Sequence, residues 1–359
     1  MKLKILYTIP NFDTAGSGKV LYDLAKGLDK NKFEVAIACK NTKGIFFEEI
    51  QKLGLPIHII EIDKPLKPYY SLLFRISPFR QFIKNQKFDI VHSWHWSSDW
   101  TEALATRLAG AKYMYSKKAM TWNKHWVIKS KLSNFIITIN DEMRNYFPNK
   151  KHQKLIPLGL DLEYYKPQSA RQEDGFFKII TVANLVPVKG VEVLIRAVKA
   201  INNPIVKLEI LGDDRSDYAA YLKELVANEN LSNQISFLGK HNDIRPFVAN
   251  ADLYIIPTLD EGRKEGMPMA LVEAMSMEKP VLGSNISGIK YVLKDFSELL
   301  FEANNSEQLV KKIEKMIVMS SNEREMIGKE LREYCIENFS YESFIMAHQN
   351  LYSDLVKKA

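Results

Sequence analysis

Cysteine is scarce: Cys39 and Cys335 are the only two in 359 residues, and they stand far apart. That excludes a disulfide-stapled scaffold and a thiolate metal cluster, and since each lies in an apolar pattern it predicts reduced, buried thiols in a cytoplasmic protein. No run approaches the ~18 apolar residues of a spanning helix. The apolar stretch of MKLKILYTIPNFDT is shorter than a signal-peptide core and soon meets Asp13, so no export is expected. Paired Cys/His fingers and an aromatic RNP-like strand are missing, which removes nucleic acid as a partner. Two phosphate signatures also fail. In TAGSGKV, Val20 follows Gly18-Lys19 where a P-loop needs Ser or Thr, and Leu21 stands where a dinucleotide fingerprint needs its third glycine. What survives is a glycine-containing turn between strand and helix, where backbone N–H groups can approach an anion.

The chain is otherwise ordinary for a folded protein, with 46% hydrophobic and 26% charged residues, and its length predicts two domains with a core in each. Its net charge of +7 favours anionic partners. Strand-like runs alternate with amphipathic stretches from end to end. In the first half they are KILYTI (3–8), FEVAIAC (33–39), IHIIEI (57–62), DIVHS (89–93) and FIITI (135–139), with helical patterns through Lys19 to Leu28, near 71–85 and 98–109. A second series begins after the aperiodic stretch 158–175: FKIITVANL (177–185), VKLEILG (206–212), QISFLG (234–239), DLYIIP (252–257) and PVLGS (280–284), with helices from about 190, 217 and 268. Crossovers of this length imply parallel sheets covered by helices on both faces, built twice and facing a cleft. The last segment, YESFIMAHQNLYSDLVKKA, reads as one docking helix with Phe344, Met346, Leu351 and Leu355 near one side.

The richest stretch is PTLDEGRKEGMPMALVEAMSMEKPVLGS (257–284), in which Glu265 and Glu273 stand eight apart. Pro268 fits the first helical position, Met269 and Glu273 share a helix face, and the helix start can hold a phosphate. Glu273 can accept from a ribose diol and Glu265 can reach a sugar. This segment resembles the signature of retaining GT-B glycosyltransferases of the family 4 type, Glu-x7-Glu within E-G-x-P-x-x-x-x-E-A-M and a following P-V: here Glu265-Gly266-Met267-Pro268, Glu273-Ala274-Met275 and Pro280-Val281. TVANLVPVKGVEVLI (181–195) resembles the segment carrying the lysine that neutralises the donor diphosphate, which falls on Lys189. LEILGDD (208–214) matches a strand-turn at Gly212, TAGSGKVLYDLAKGL (14–28) matches the opening that places Gly16 at the diphosphate, and DIVHSWHW (89–96) matches a strand end.

The resemblance implies an α/β chain of GT-B fold, two doubly wound, Rossmann-like domains. Residues 1–165 would bind acceptor, 166–340 would bind a nucleotide-sugar donor through Gly16, Asn184, Lys189, Gly212, Glu265, Gly266, Met267, Pro268, Met269 and Glu273, and 341–359 would pack back on the first domain. Lys189 and Glu265 would act in catalysis. Asn184 replaces a common arginine, Ala15 a glycine, and Lys118 a histidine near the reacting sugar; Glu261-Gly262 competes with Glu265-Gly266, but only Glu265 keeps the spacing to Glu273. Asp-x-Asp is missing, so no cofactor or metal is expected and Lys189 with backbone N–H groups would carry the diphosphate charge. His92 and His95, flanking Trp94 with Asp99 close by, are candidates for acceptor contact beside Lys118, with packing or a metal as the alternatives. The other histidines, His348 among them, read as surface or satisfied core. A sugar-nucleotide epimerase and a non-catalytic partner subunit are the rival readings.

Two groups interleave basic with aromatic and aliphatic residues: Lys64, Lys67, Arg75, Arg80, Lys84 and Lys87 with Tyr69, Tyr70, Leu72, Leu73, Phe74, Phe79 and Phe82; and Lys117, Lys118, Trp122, Lys124, Trp126, Lys129 and Lys131. Both suit peripheral contact with an anionic membrane on its cytoplasmic face, near a carbohydrate or lipid-linked acceptor, with a core face plus a solvated face as the alternative.

Overall fold

The computed structural model describes residues 2–13, 15–44, 46–168, 174–262 and 265–357. It divides into two compact units, Met1–Gly159 with Tyr341–Ala359, and Leu160–Ser340. The first division falls a few residues before 165, inside the aperiodic stretch, of which 169–173 lies outside the described residues.

In the first unit the order is β1 Leu3–Ile9, α1 Ala15–Gly27, β2 Phe33–Cys39, α2 Phe46–Lys52, β3 Ile57–Ile59, α3 Leu72–Gln86, β4 Ile90–Ser93, α4 Thr101–Ala109, β5 Lys112–Lys117, α5 Lys124–Leu132, β6 Phe135–Thr138 and β7 Gln153–Leu155. The strands lie side by side as β3-β2-β1-β4-β5-β6-β7, all parallel. The second unit runs β8 Phe177–Val182, α6 Val191–Ile201, β9 Val206–Leu211, α7 Asp217–Asn228, β10 Ile235–Gly239, α8 Arg245–Ala249, β11 Leu253–Ile256, α9 Met269–Ser276, β12 Val281–Ser284, α10 Ser287–Val292, β13 Leu300–Phe301, α11 Ser306–Val318 and α12 Ser321–Phe339. Its parallel order is β10-β9-β8-β11-β12-β13. The final helix, α13 Tyr341–Lys357, belongs to the first unit.

Strands buried on both faces explain the continuous apolar runs: in β1 the burial runs unbroken from Ile5 to Ile9. On one face of the first sheet Leu6, Val91, Tyr113, Tyr115 and Ile136 pack against Leu72, Ile76, Phe79 and Ile83 of α3, Ala103 and Ala105 of α4, and Trp126 of α5. Three expectations need correction. The 57–62 run is a strand only over Ile57–Ile59, because its sole partner β2 ends at Cys39, opposite Ile59. Pro268 lies just before α9 with ψ at 102°, and its carbonyl accepts from Leu271, so it caps the helix from outside. In α13, Met346 is 59% exposed, while Phe344, Ile345, His348, Leu351 and Tyr352 are buried at i, i+1, i+4, i+7 and i+8. Both thiols are buried, and burial pushes them up to about 11 for Cys39 and about 12 for Cys335.

The α13 helix is pinned by polar groups as well as by apolar ones. The fully buried Tyr352 hydroxyl meets His92 Nδ1 at 2.7 Å and the Tyr7 hydroxyl at 3.1 Å. Replacing Tyr352 by Phe strands both partners in the core and should cost about 1–3 kcal/mol. It should appear as a lower urea midpoint at unchanged slope, and an unshifted midpoint would refute this role.

Candidate active site

In the second unit the chain leaves β8 and makes one 3-10 turn, Pro187–Lys189, closed by Gly190 at φ 64°. A Cβ at Gly190 would fall 2.1 Å from the Pro257 carbonyl, and Leu259 N–H donates to Val188 O at 2.8 Å, so this turn lies directly on the loop after β11. At Gly212, just past β9, a Cβ would fall 2.0 Å from Ala183 O. Three loops are thereby locked together at the carboxyl edge of the sheet, beside the switch point between β8 and β11, where ligands of such sheets bind.

Here Lys189 Nζ forms an ion pair with Glu265; their side chains are 24% and 17% exposed. Glu261 stands exposed, so the pairing selects Glu265 as the spacing did. Gly266, Met267 and Pro268 are buried behind it, Met269 is half-buried, and Glu273 follows on α9, whose first turn holds no acidic residue. Two tyrosines that the sequence reading missed stand near the glutamates, and one of them holds Glu273. Burial raises the Tyr254 phenol above its usual value, and the charges of Glu273 and Glu265 add to this, while its hydroxyl donates to Val182 O at 3.5 Å. Tyr165 is raised by burial and then by Glu273, with which its hydroxyl hydrogen-bonds; Ser276 Oγ donates to Tyr165 O at 3.0 Å. Lys189 and Glu265 are thus paired at this edge, with Glu273 on the helix that follows, whereas Asn184 is exposed.

In the first unit Gly16 lies in the first turn of α1, where an added Cβ would meet nothing within 4 Å. Its neighbour Ser17 accepts from Lys118 Nζ at 2.9 Å; the same ammonium donates to Trp94 O at 2.6 Å and lies 5.1 Å from the Trp94 ring centre. The elements that lead to it leave the sheet on either side of the β1/β4 switch point. His92 is a correction. It is fully buried, and its ring nitrogens are spent on Tyr352 and on Ser116 Oγ at 2.9 Å, which leaves neither for an acceptor or a metal. His95 lies 3.6 Å from Asp63, which also pairs with Lys40. Burial, with the cations Lys129, Lys40 and Lys118 outweighing Asp63, brings this histidine down to about 3 and keeps it neutral. Among the described residues no group of three or more His, Cys, Asp or Glu could hold a metal ion.

The second basic-aromatic group is also corrected. Lys117, Trp126 and Lys129 are core residues. Lys117 Nζ sits 4.1 Å from the Trp126 ring centre and donates to Thr121 O at 2.7 Å and to Ala119 O, while Lys129 donates to Ser97 O at 3.0 Å. Buried Glu102 accepts from Thr8, from Ser93 at 2.7 Å and from Tyr113 at 3.1 Å; burial lifts its carboxyl and Lys129 opposes that lift.

Two doubly wound parallel sheets, each with its polar side chains at a switch point, define the GT-B class. Residues 14–164 match Glycosyltransferase Family 4 and residues 165–338 match Glycosyl transferases group 1, and the chain belongs to the family 4 type glycosyltransferases. It is 23% identical over 370 residues to the UDP-Gal:alpha-D-GlcNAc-diphosphoundecaprenol alpha-1,3-galactosyltransferase of Escherichia coli, covering 92% of this chain and 91% of that one. An uncharacterized glycosyltransferase of Methanocaldococcus jannaschii is 30% identical over 179 residues, 48% of this chain and 47% of its own length. In fold, the chain matches the crystal structure of a glycosyltransferase from Rickettsia africae ESF-5 with a TM-score of 0.87 at 20% identity, over 100% of both chains.

The neutral buried histidines carry a pH dependence. Burial brings His348 down to about 4 and His95 to about 3, whereas unfolded histidine protonates near 6.5. The unfolded chain therefore binds more protons than the folded one in this window. Stability is fully present above pH ~6.5 and is lost as pH falls toward 4. All five tryptophans lie between 94 and 126, so their fluorescence reports the first unit. Urea midpoints followed in this way should fall from pH 7 to 5, and less steeply in His348→Leu; parallel slopes would refute the assignment.

Proposed function

We propose that the enzyme moves a sugar from a UDP-sugar, with retention at the anomeric carbon, to a lipid-linked or other carbohydrate acceptor in the synthesis of a cell-surface polysaccharide or glycolipid. The observation that carries this reading is the Lys189–Glu265 ion pair at the carboxyl edge of the second sheet, with Glu273 on the helix that follows. In this reading the Lys189 ammonium and the N–H groups opening α9 neutralise the diphosphate without a metal ion. Glu273, oriented by Tyr165, accepts from the ribose hydroxyls, and Glu265 faces the sugar. The leaving diphosphate is stabilised electrostatically, so the acceptor can attack from the same face without a carboxylate nucleophile. Retention rests on the family resemblance. The donor and the lipid-linked acceptor are supported by the activity for which the E. coli relative is named. In the first unit Lys118, held by Ser17 and Trp94, and neutral His95 are the acceptor contacts, while His92 is structural. Among the described residues no helix is long and apolar enough to cross a membrane, and a lipid-linked acceptor would be met by peripheral docking on the cytoplasmic face.

Lys189→Ala removes the charged partner of a largely desolvated diphosphate, a loss of about 2–5 kcal/mol, or roughly thirtyfold to several thousandfold in kcat/KM. Near-normal kcat/KM would refute the assignment. The two glutamates should separate in calorimetry and kinetics: Glu273→Ala weakens UDP binding itself, whereas Glu265→Ala lowers kcat without weakening UDP binding. Equal losses of UDP affinity would overturn that division. Incubating donor alone distinguishes transfer from epimerisation, since an epimerase would interconvert nucleotide sugars without acceptor.

A further inference from the structure

The solvent side of α3 is divided lengthwise. Buried Leu72, Ile76, Phe79 and Ile83 face the core, and at the N-terminal end Tyr69, Tyr70, Leu73 and Phe74 project outward at 60%, 92%, 64% and 83% exposure. Leu73 and Phe74 open α3, and Tyr69 and Tyr70 stand in the 3-10 turn Tyr69–Ser71 that runs directly into it. Toward the C-terminal end the exposed charged positions are Arg80, Lys84 and Lys87, and no Asp or Glu occurs from Lys64 to Phe88. Large exposed aromatics beside uncompensated positive charge are unusual on a surface that meets only water. Arg75, which reads in sequence as part of the cationic face, instead donates to Leu66 O at 3.3 Å, Pro68 O at 2.7 Å and Pro65 O, so it braces the loop that presents the tyrosines.

The loop before α3 also sits at the functional edge of the first sheet. It begins where β3 ends; Asp63 reaches Lys40 and His95, and Lys64 N–H donates to Thr101 Oγ1 at 3.0 Å at the start of α4. Because the sheet is parallel, this is the same edge that carries Lys118.

We infer that Tyr70, Leu73 and Phe74 form a wedge that enters the interfacial layer of an anionic phospholipid bilayer, with Lys67, Lys84 and Lys87 meeting its head groups. This deepens the proposed function, on which it rests, by giving the acceptor-binding edge a route to a lipid-linked acceptor. Aromatic side chains suit the interfacial layer, and the one-signed charge complements acidic lipid more than it does water or a mixed-charge protein face.

The test uses the full chain, sedimented with vesicles of phosphatidylcholine alone or of phosphatidylcholine and phosphatidylglycerol in equal parts. Wild type should pellet with the anionic vesicles, less so as added salt shortens the Debye length from about 10 Å to about 3 Å. Tyr70→Ser with Phe74→Ser should bind at least tenfold more weakly at every salt concentration, and Lys67→Ala with Lys84→Ala should weaken binding chiefly at low salt. Both variants alter exposed positions, and their urea midpoints should match wild type. No pelleting of wild type with either vesicle, equal binding by the Tyr70/Phe74 variant, or a concentration-dependent dimer abolished by Phe74→Ser would each overturn the inference. Thermal shift by UDP separates the two proposals. If vesicle binding holds while UDP leaves the melting temperature unchanged, the glycosyl-donor reading fails and the membrane wedge stands.

Discussion

Every strand in both sheets is parallel to its neighbours, and that constraint places the chemistry. A chain that re-enters a sheet always from one edge must leave always at the other, so the carboxyl ends of β1 to β7 share one edge and those of β8 to β13 another. Where the order reverses, between β1 and β4 and between β8 and β11, consecutive loops depart to opposite faces and leave polar backbone uncovered. Ser17, Trp94 and Lys118 gather at the first reversal, and Lys189 with Glu265 at the second. The tight backbone contacts at Gly190 and Gly212 follow from the same geometry, because neighbouring loops can converge there only where no Cβ intervenes.

The first unit adds a second layer of control with buried charge. Desolvating an ammonium costs several kcal/mol, and an apolar residue would serve packing better. Lys129 and Lys117 nevertheless lie in the core, the first donating to Ser97 O and the second to the carbonyls of Ala119 and Thr121. These carbonyls belong to the two loops that follow β4 and β5, which carry His95 and Lys118. The lysines therefore tie down segments that have no ladder hydrogen bonds of their own. Burial brings Lys117 down to about 7, and the ring of Trp126 and the carbonyl dipoles compensate the charge that remains.

What could be read from sequence followed from how far each signal reaches along the chain. Alternating apolar runs and helical periods located most strands of both sheets, because burial on both faces leaves a continuous apolar signature. The short edge strands β7 and β13 carry no such run and went unseen, and so did the central β5, KYMYSK, whose tyrosines, serine and lysines break the apolar signature although Tyr113 to Lys117 are buried. Glu265 and Glu273 were legible because one helix and its preceding loop fix their spacing, and Lys189 because it sits one turn past a strand. Tyr165 was not: it lies in an aperiodic stretch, and its partner Glu273 comes from a remote part of the chain. Lys117 and Lys129 look like solvated lysines in any local window, and His92 looks like a strand-end ligand until Tyr352, from the far end of the chain, closes on it.

The Lys189–Glu265 pair explains how recognition of a whole donor can exceed that of its parts on the proposed reading. Both side chains are already largely stripped of water, so a diphosphate that takes the ammonium need not desolvate it again. The exchange instead deprives Glu265 of its partner, and a buried carboxylate without a donor is costly. A nucleotide diphosphate alone leaves that cost standing. A nucleotide sugar brings hydroxyl donors to the same place and removes it, so the sugar contributes binding energy even without a dedicated pocket. After transfer the diphosphate loses this support, and Glu265 can reclaim Lys189. On the proposed reading, one ion pair would thus favour intact donor on entry and expulsion of the spent nucleotide on exit.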